Sequence, residues 1–386
     1  MSVIILGNGF DLHCGLPSAY PDYYSIEKST NNSYSSFAVG LERFRKNDYR
    51  EANLMNTKGF PYFSGDFTPW DALFILVMDV FGGEEVNWFD IETIMSKSLR
   101  EDSGRVENYF HWSNVLQYLR MHLSMPSEVI KPDNNLLFED IIAWLLLLTA
   151  ANNPDYASIA DRSNIKTPSF FYAFLLIELK KYETRFGIYL KGVSSKGDYS
   201  EKASLFERKL RSLAATTGYA ENNIIVSFNF TTFTGYALDF HHIHGCFKDN
   251  DSIFGIDKGG EQIYDFTKSA RRNALAEIHE DDTKCPDFGR NVLVYGHSLC
   301  SQDQSFFFRM LDEMKVLESH DTDGGKPHIT FAYSAYGGQD ASVRGEELRK
   351  RVEKLLNDYG KKKAFDENVF EILRDRGILL FKEARD

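Results

Sequence analysis

Residues that could bind a phosphate-bearing ligand stand at the start of the chain. A short apolar run leads directly into the turn Gly7-Asn8-Gly9, and Gly15 follows a few positions later. Backbone N–H groups in such a turn can approach a diphosphate, and a helix that begins there adds the positive end of its dipole. Because Gly15 arrives later than in the dehydrogenase fingerprint, an ordinary turn is an equal alternative. The predicted ligand loop consists of Gly7, Asn8, Gly9, Phe10, Asp11 and Gly15.

Three more polar clusters follow apolar, strand-like runs further along the chain. They contain Asn229, His244, and the segment Gly296-His297-Ser298-Leu299 with Asp303 after it. Open parallel sheets bind ligands beyond the carboxyl ends of their strands, where the strand order reverses. These clusters and the ligand loop are therefore expected to surround a single crevice. Taken alone, His244 could be a buried structural histidine and Asn229 a helix cap.

The elements that must position these clusters alternate along the second half of the chain. Strand-like runs cover residues 2–6, 224–228, 292–295, 328–333 and 378–381, and a helix is predicted over 346–359. Such alternation is typical of a parallel sheet covered on both faces. We therefore predict an α/β fold with a Rossmann-like, doubly wound and mostly parallel sheet.

A helical block interrupts this sheet in the sequence. Apolar residues recur at helical spacing over 71–81, 106–122, 136–151 and 169–189, whereas residues 31–67 are predicted to form a polar, aromatic loop. The predicted organisation is a first Rossmann-like part over residues 1–66, a large α-helical insertion over 67–221, and the remainder of the Rossmann-like domain over 222–386.

Composition limits the function classes. The chain has 44 Lys and Arg against 56 Asp and Glu, and this net charge of −12 opposes sequence-independent binding to nucleic acid or anionic membranes. Its four cysteines form no C-x-x-C pair, so no zinc ribbon or disulfide framework is expected. The start has no signal-peptide pattern, and the longest apolar run, residues 141–148, is shorter than the ~20 residues of a spanning helix. A cytoplasmic protein without metal or membrane anchor is predicted.

A series of motifs resembles the AbiH family of phage abortive-infection proteins. The motifs extend in order from residue 7 to residue 303, and the resemblance implies an antiphage role. They are Gly7-Asn8-Gly9-Phe10-Asp11-Leu12, Gly15-Leu16-Pro17, Trp88-Phe89-Asp90-Ile91-Glu92, Ser227-Phe228-Asn229-Phe230-Thr231, Ile243-His244-Gly245 and Gly296-His297-Ser298-Leu299.

The same residues are similar, more remotely, to the sirtuin-like NAD-binding fold, which implies NAD as the ligand. Two departures disfavour deacylation: Phe228 precedes Asn229 where deacetylases have Gln, and the four-cysteine zinc module is missing. The zinc-free sirtuin-like proteins of bacterial defence imply NAD hydrolysis instead. The resemblance assigns the diphosphate to Gly7, Gly9 and Gly15, the nicotinamide ribose to Asn229, the base to His244, and the adenosine side to Ser298. Gly296 and Asp303 are further predicted cofactor-binding residues.

These side chains suit the implied chemistry. Nicotinamide bound through its ring nitrogen is a cationic leaving group, so the protein must mainly orient the ribose and activate water. A neutral imidazole such as His244, with an ordinary pKa of about 6.5, can accept a proton near neutral pH. Asn229 can position water or a ribose hydroxyl because a carboxamide both donates and accepts hydrogen bonds.

Two alternatives lead to different functions. Gly296-His297-Ser298-Leu299-Cys300 approaches the nucleophile elbow of serine hydrolases, although Cys300 replaces a glycine. Ser298 would then be the nucleophile, with Asp303 or Asp312 and His320 or His328 as partners.

In the second alternative the crevice binds a nucleotide as a signal without turnover, and the helical insertion recognises a phage-derived trigger or a partner protein. Homo-oligomerisation or a partner is expected to restrain a protein that would otherwise kill its host.

Overall fold

The computed structural model describes most of the chain. The described residues are 2–45, 63, 67–80, 90–99, 110–122, 141–143, 145–146, 167–215, 223–233, 239–248, 251–276, 287–318 and 326–385.

Within these ranges, six parallel strands form one sheet. They are β1 (Ser2–Leu6), β2 (Asn223–Ser227), β3 (Asp239–His242), β4 (Asn291–Tyr295), β5 (His328–Tyr333) and β6 (Leu379–Glu383). Their order across the sheet is β3-β2-β1-β4-β5-β6, and each neighbouring pair is parallel. The chain proceeds from β1 to one edge and then returns to the other side of β1, so the strand order reverses between β1 and β4. The predicted α/β fold with a parallel sheet is confirmed.

The strands are apolar on both faces because both faces are covered. Successive side chains of a strand point to opposite sides. Val3 and Ile5 accordingly join one hydrophobic cluster, and Ile4 and Leu6 join another. All five residues of β1 are buried, which explains why the run shows no polar alternation. Central strands of this kind hold the loops that follow them on a rigid base.

Twelve α-helices have both ends among the described residues. They are α1 (Gly9–His13), α2 (Tyr20–Thr30), α3 (Asn32–Arg45), α4 (Pro69–Val80), α5 (Asp90–Leu99), α6 (Trp112–His122), α7 (Pro168–Ser194), α8 (Tyr199–Ala215), α9 (Lys268–Ala276), α10 (Gln304–Glu313), α11 (Ala341–Lys362) and α12 (Val369–Asp375). Short 3-10 turns cover Glu261–Phe266 and Ser301–Asp303. No helix among the described residues is long and apolar enough to cross a membrane.

The chain divides into two compact units. The sheet unit comprises Met1–Ala19, Gly187–Ile253 and Arg271–Asp386, and the helical unit comprises Tyr20–Phe186 and Phe254–Ala270. The helical unit buries many large aromatic side chains, among them Trp70, Trp112 and Tyr182. The predicted domain bounds at 66/67 and 221/222 fall at other positions and stay a prediction.

Most predicted helices and strands are found near their expected bounds, with two corrections. The loop predicted over residues 31–67 is wrong for 32–45, which form α3; residues 46–62 lie outside the described part. The short edge strand β3 was not among the predicted strands. The helix predicted over 106–122 begins at Trp112, and that over 136–151 is described only at 141–143 and 145–146, where it is helical.

Candidate functional site

The loops that follow β1, β2 and β4 meet at one edge of the sheet, here called the carboxyl edge. The Gly7 N–H donates to the Tyr295 carbonyl (2.9 Å), and the Gly9 N–H donates to the Gly296 carbonyl (2.8 Å). On the other side, the Phe228 N–H donates to the Leu6 carbonyl (2.8 Å). These bonds extend the strand pairing into the loops. The polar residues that follow the three strands are therefore held together by backbone hydrogen bonds.

The glycines of the ligand loop are required by the close approach of the β4 loop. A Cβ at Gly7 would lie 2.5 Å from the Cα of His297, and one at Gly9 would lie 2.7 Å from the Cα of Gly296. Neither clash can be relieved by moving a side chain, because both involve backbone atoms. Since the N–H groups of Gly7 and Gly9 bond to the carbonyls of Tyr295 in β4 and Gly296 after it, they do not support the predicted diphosphate contact. That role stays a prediction.

Gly15 ends helix α1. Its N–H donates to the Leu12 carbonyl (3.1 Å), and the Leu16 N–H donates to the Asp11 carbonyl (2.9 Å). This pair of bonds is the Schellman arrangement that closes many helices with glycine in the left-handed region, and φ of Gly15 is +81°. Gly15 therefore has a structural reason for its position. Phe10 has one too, because its ring is fully buried against Phe206 and Phe233.

Asp11 is buried in a hydrogen-bonded cluster behind the loop. The Tyr199 hydroxyl donates to Oδ1 (2.7 Å), and the Thr231 hydroxyl donates to Oδ2 (2.6 Å). Burial raises the pKa of the Asp11 carboxyl to about 6, while the hydrogen bonds from Thr231, Tyr199 and Asn229 oppose that rise. Asp11 thus connects the β1 loop to the β2 loop through Thr231.

Two asparagine side chains flank Gly7 and have unused hydrogen-bonding atoms. Asn229 Nδ2 donates to the Gly7 carbonyl (3.1 Å), and Asn8 Oδ1 accepts from the Ser18 hydroxyl (2.7 Å). Asn229 Oδ1 and Asn8 Nδ2 are buried and have no hydrogen-bond partner within the described ranges. A buried polar group without a partner costs about 1–3 kcal/mol. An acceptor and a donor are therefore ready at this place for a polar ligand.

Asp303 lies between two buried imidazoles. Its Oδ1 is 3.4 Å from His244 Nε2, and its Oδ2 is 3.5 Å from His297 Nε2. The three residues are buried, with exposed fractions of 7%, 5% and 6% for Asp303, His244 and His297, respectively. The Phe228 ring packs nearly perpendicular to both imidazoles, with its centroid 5.2 Å from that of His244 and 4.4 Å from that of His297. The predicted base and the predicted nucleotide-binding aspartate are thus neighbours.

Comparison with known families identifies the chain. The sequence profile described as bacteriophage abortive infection AbiH matches residues 3–320. The chain belongs to this AbiH family. The match includes β1 from Val3 onward, β2 to β4 and every residue of the carboxyl edge named above. No curated protein and no solved structure matches the chain.

The AbiH motif around residue 90 belongs to the helical unit. Trp88 and Phe89 lie outside the described residues. Glu92 is buried, its Oε2 is 2.6 Å from Lys268 Nζ, and its Oε1 accepts from the Gly255 N–H (3.2 Å). Glu92 therefore stabilises the segment 255–268 within its own unit.

The described residues do not bring Ser298 and His328 together in this AbiH protein. Ser298 follows the carboxyl end of β4, whereas His328 begins β5 and pairs with Asn291 at the opposite end of the strands. Asp303 faces the two imidazoles, and Asp312 accepts from the Tyr359 hydroxyl (2.6 Å). The remaining proposed partner, His320, lies outside the described residues. Ser298 with His328 is therefore excluded as a catalytic pair.

Three residues of the carboxyl edge were not predicted as site residues. His297 and Thr231 lie inside the quoted motifs. The closeness in sequence of His297 to Asp303, and of Thr231 to Asn229, could have indicated that they belong to the same site. Tyr199 comes from α8 and reaches Asp11 across 188 positions of sequence. No local pattern around Tyr199 indicates that contact.

Proposed function

We propose that this AbiH protein binds NAD at the carboxyl edge of a Rossmann-like, sirtuin-like sheet and hydrolyses it during phage infection. Family membership implies the role in abortive infection. The strand order supports the choice of ligand, because dinucleotides bind sheets with the order 3-2-1-4-5-6 where that order reverses. In this chain the reversal lies between β1 and β4, beside the ligand loop.

The observation that carries the proposal is the convergence of Asn229, His244 and Asp303 at this edge. Asn229 presents the unused Oδ1 acceptor next to Gly7, which suits a ribose hydroxyl or a water molecule. His244 has a carboxylate beside its ring, and a carboxylate stabilises the cation that an imidazole becomes when it accepts a proton. An orienting amide and a base with its own partner are what activation of water requires.

The proposed reaction breaks the bond between ribose C1′ and the nicotinamide ring nitrogen. Nicotinamide leaves as a neutral molecule with the bonding electron pair, so no acid has to protonate it. A water oxygen then forms the new bond to C1′, and His244 accepts the water proton and later releases it to solvent. The products are ADP-ribose, nicotinamide and one proton.

Diphosphate binding requires donors other than the two loop glycines. The Gly7 and Gly9 N–H groups are committed to the β4 loop. Asn8 Nδ2 is an unused donor in the same loop, and a side-chain amide can bind a phosphate oxygen. We therefore assign Asn8, rather than the glycine amides, to the phosphate side of the ligand.

The test is release of nicotinamide from NAD by the purified protein, with and without lysate from phage-infected cells. Asn229→Ala and His244→Ala should each lower the rate about 10²–10⁴-fold, the usual contribution of a positioned acid–base group. His328→Ala is the matched control, because His328 lies at the opposite end of the strands and should leave the rate unchanged. Bound NAD that stays intact under every condition would favour nucleotide sensing, and absence of binding would reject the proposal.

Restraint of this activity stays part of the proposal. A hydrolase that consumed NAD without control would kill uninfected cells, so a homo-oligomer, a partner protein or a phage-derived trigger is expected to govern the site. Equal activity of the protein in uninfected and infected cells would contradict this expectation.

A further inference from the structure

We infer that Asp303 is a positioning residue that fixes the tautomer of His244, so that His244 Nδ1 is the nitrogen that accepts a proton. The use of that nitrogen in NAD hydrolysis rests on the proposed function. The tautomer itself does not depend on it.

Each oxygen of Asp303 faces the ring nitrogen of a different histidine, and Oδ2 also accepts from the Cys300 thiol at 3.9 Å. Oδ1 lies 3.4 Å from His244 Nε2, and Oδ2 lies 3.5 Å from His297 Nε2. The contact with His244 is electrostatic and is not a formed hydrogen bond. An ionised carboxylate accepts hydrogen bonds and cannot donate them. Each imidazole nitrogen that faces it is therefore favoured in its protonated form, and a neutral ring then carries its lone pair on the other nitrogen.

The backbone fixes the tautomer of His297 independently. The Leu299 N–H donates to His297 Nδ1 (2.9 Å), so this nitrogen carries the lone pair and a neutral His297 has its proton on Nε2. Leu299 makes this contact with φ of +55°, a left-handed conformation that leucine rarely adopts. His297 thus presents an N–H to Asp303, which orients the carboxylate toward His244.

The Asp303 side chain does not cap the helix that follows it. Asp303 occupies the N-cap position of α10, where aspartate commonly accepts a hydrogen bond from a backbone N–H of the first turn. Its side chain makes no such bond. The carboxylate instead faces the imidazoles, and the positive end of the α10 dipole still favours its negative charge. A residue needed only as a helix cap would not have this geometry.

The consequence is a fixed direction for proton transfer. With Nε2–H turned to Asp303, the lone pair of His244 lies on Nδ1. An amide at position 303 would offer a donor as well as an acceptor, so His244 could reverse its tautomer with little change in shape. In serine proteases the same replacement of a triad aspartate keeps the geometry and lowers kcat about 10⁴-fold.

The first experiment reads the tautomer directly by ¹⁵N NMR of the full chain labelled in its histidine rings. The chain has ten histidines, and the His244→Gln and His297→Gln variants assign the two rings. We expect a protonated Nε2 and an unprotonated Nδ1 for His244 at a pH where the ring is neutral, and a shift toward the opposite tautomer in Asp303→Asn. A wild-type His244 protonated on Nδ1, or a tautomer unchanged in Asp303→Asn, would overturn the inference. The wild-type spectrum alone decides the first point, even if the variant folds poorly.

The second experiment measures NAD turnover in the same variants. Asp303→Asn should lower kcat about 10²–10⁴-fold with little change in KM, because the loss lies in the base and not in ligand binding. Asp312→Asn, a change of the same type within α10, should leave both constants unchanged. A rise in KM at constant kcat would return Asp303 to nucleotide binding and overturn the inference. The expected tautomer without any wild-type turnover would reject NAD hydrolysis while the positioning role of Asp303 stands.

Discussion

Asp71 and Asp303 are both buried aspartates at the start of a helix, but their surroundings differ. Asp71 lies in the first turn of α4, where its Oδ2 accepts from the Thr68 N–H (2.7 Å) and the Thr68 hydroxyl (2.8 Å). Its Oδ1 accepts from the Tyr34 hydroxyl and pairs with the Arg185 guanidinium. The Asp71 N–H donates back to the Thr68 hydroxyl (3.3 Å), which completes a reciprocal capping box. Every oxygen of Asp71 is thus held by close donors.

Asp303 makes no capping bond, and the nearest nitrogens of its two imidazole neighbours stand at 3.4 and 3.5 Å. Catalytic hydrogen bonds are often long before the substrate binds and shorten in the complex. The comparison teaches that burial of a carboxylate does not reveal its role, whereas the distances of its donors do. Asp71, held by close donors, stabilises its helix, whereas the Asp303 carboxylate faces the ring nitrogens of two histidines.

The largest expected effect is a loss of stability when the contacts of Asp71 are removed. Asp71→Asn leaves the Arg185 side chain, which is only 14% exposed, without its closest carboxylate. Removal of one partner of a buried ion pair typically costs about 3–5 kcal/mol. Urea unfolding should therefore show a free energy of unfolding lower by that amount.

Asp79→Asn is the matched control for this measurement. Asp79 lies in the same helix and pairs with Lys28 at 2.9 Å, but that Lys28 side chain is 44% exposed. Exposed pairs contribute about 0–1 kcal/mol. Equal losses in the two variants would show that Asp71 does not stabilise the fold through its buried contacts.

The next largest effect is the pH dependence of stability that a third buried aspartate, Asp11, produces. Its hydrogen-bond donors include neutral hydroxyl groups. The pKa of Asp11 in the folded protein is about 6, above the ordinary value of 3.8. The folded state therefore binds this proton more tightly than the unfolded state does. The resulting stability is fully present below pH 3.8 and is lost as the pH rises through 6, a change of about 3 kcal/mol.

Asp11→Asn removes this titration, so the stability of wild type minus that of the variant should fall between pH 4 and pH 7. Asp312→Asn gives the opposite sign, because hydrogen bonds from Lys363 and Tyr359 outweigh its slight burial and hold the pKa of Asp312 below the ordinary value. A difference curve for Asp11 that is flat, or parallel to that of Asp312, would contradict the assignment of a raised pKa.

Much of the sheet could be predicted because central parallel strands leave an unmistakable pattern. The runs at β1, β4 and β5 are short and apolar without alternation, and their bounds were predicted within one residue. Helix α3 was missed because its overall composition is polar. Its buried residues nevertheless recur at helical spacing, namely Tyr34, Phe37, Ala38 and Leu41. Spacing was the better signal than composition.

The proximity of the predicted residues at this edge could be predicted, but the atoms in contact could not. Asn229, His244 and Asp303 come together because the carboxyl ends of parallel strands lie at one edge, which is a property of topology. Which atom faces which depends on side-chain rotamers and loop dihedrals. The sequence therefore assigned Asp303 to the nucleotide and the loop glycines to the diphosphate. In the structure Asp303 faces His244, and the glycines make room for the β4 loop.

The smallest expected effect is the most informative for the comparison. Asp303→Asn keeps the size and shape of a side chain that makes no capping bond, so it should change the free energy of unfolding by about 1 kcal/mol or less. Measured in urea beside Asp71→Asn, it should be the milder variant by several-fold, although it abolishes most of the proposed activity. A loss equal to that of Asp71→Asn would mean that the long contacts to His244 and His297 stabilise the fold as strongly as short ones. In that case, donor distance would no longer distinguish a structural carboxylate from a functional one in this protein.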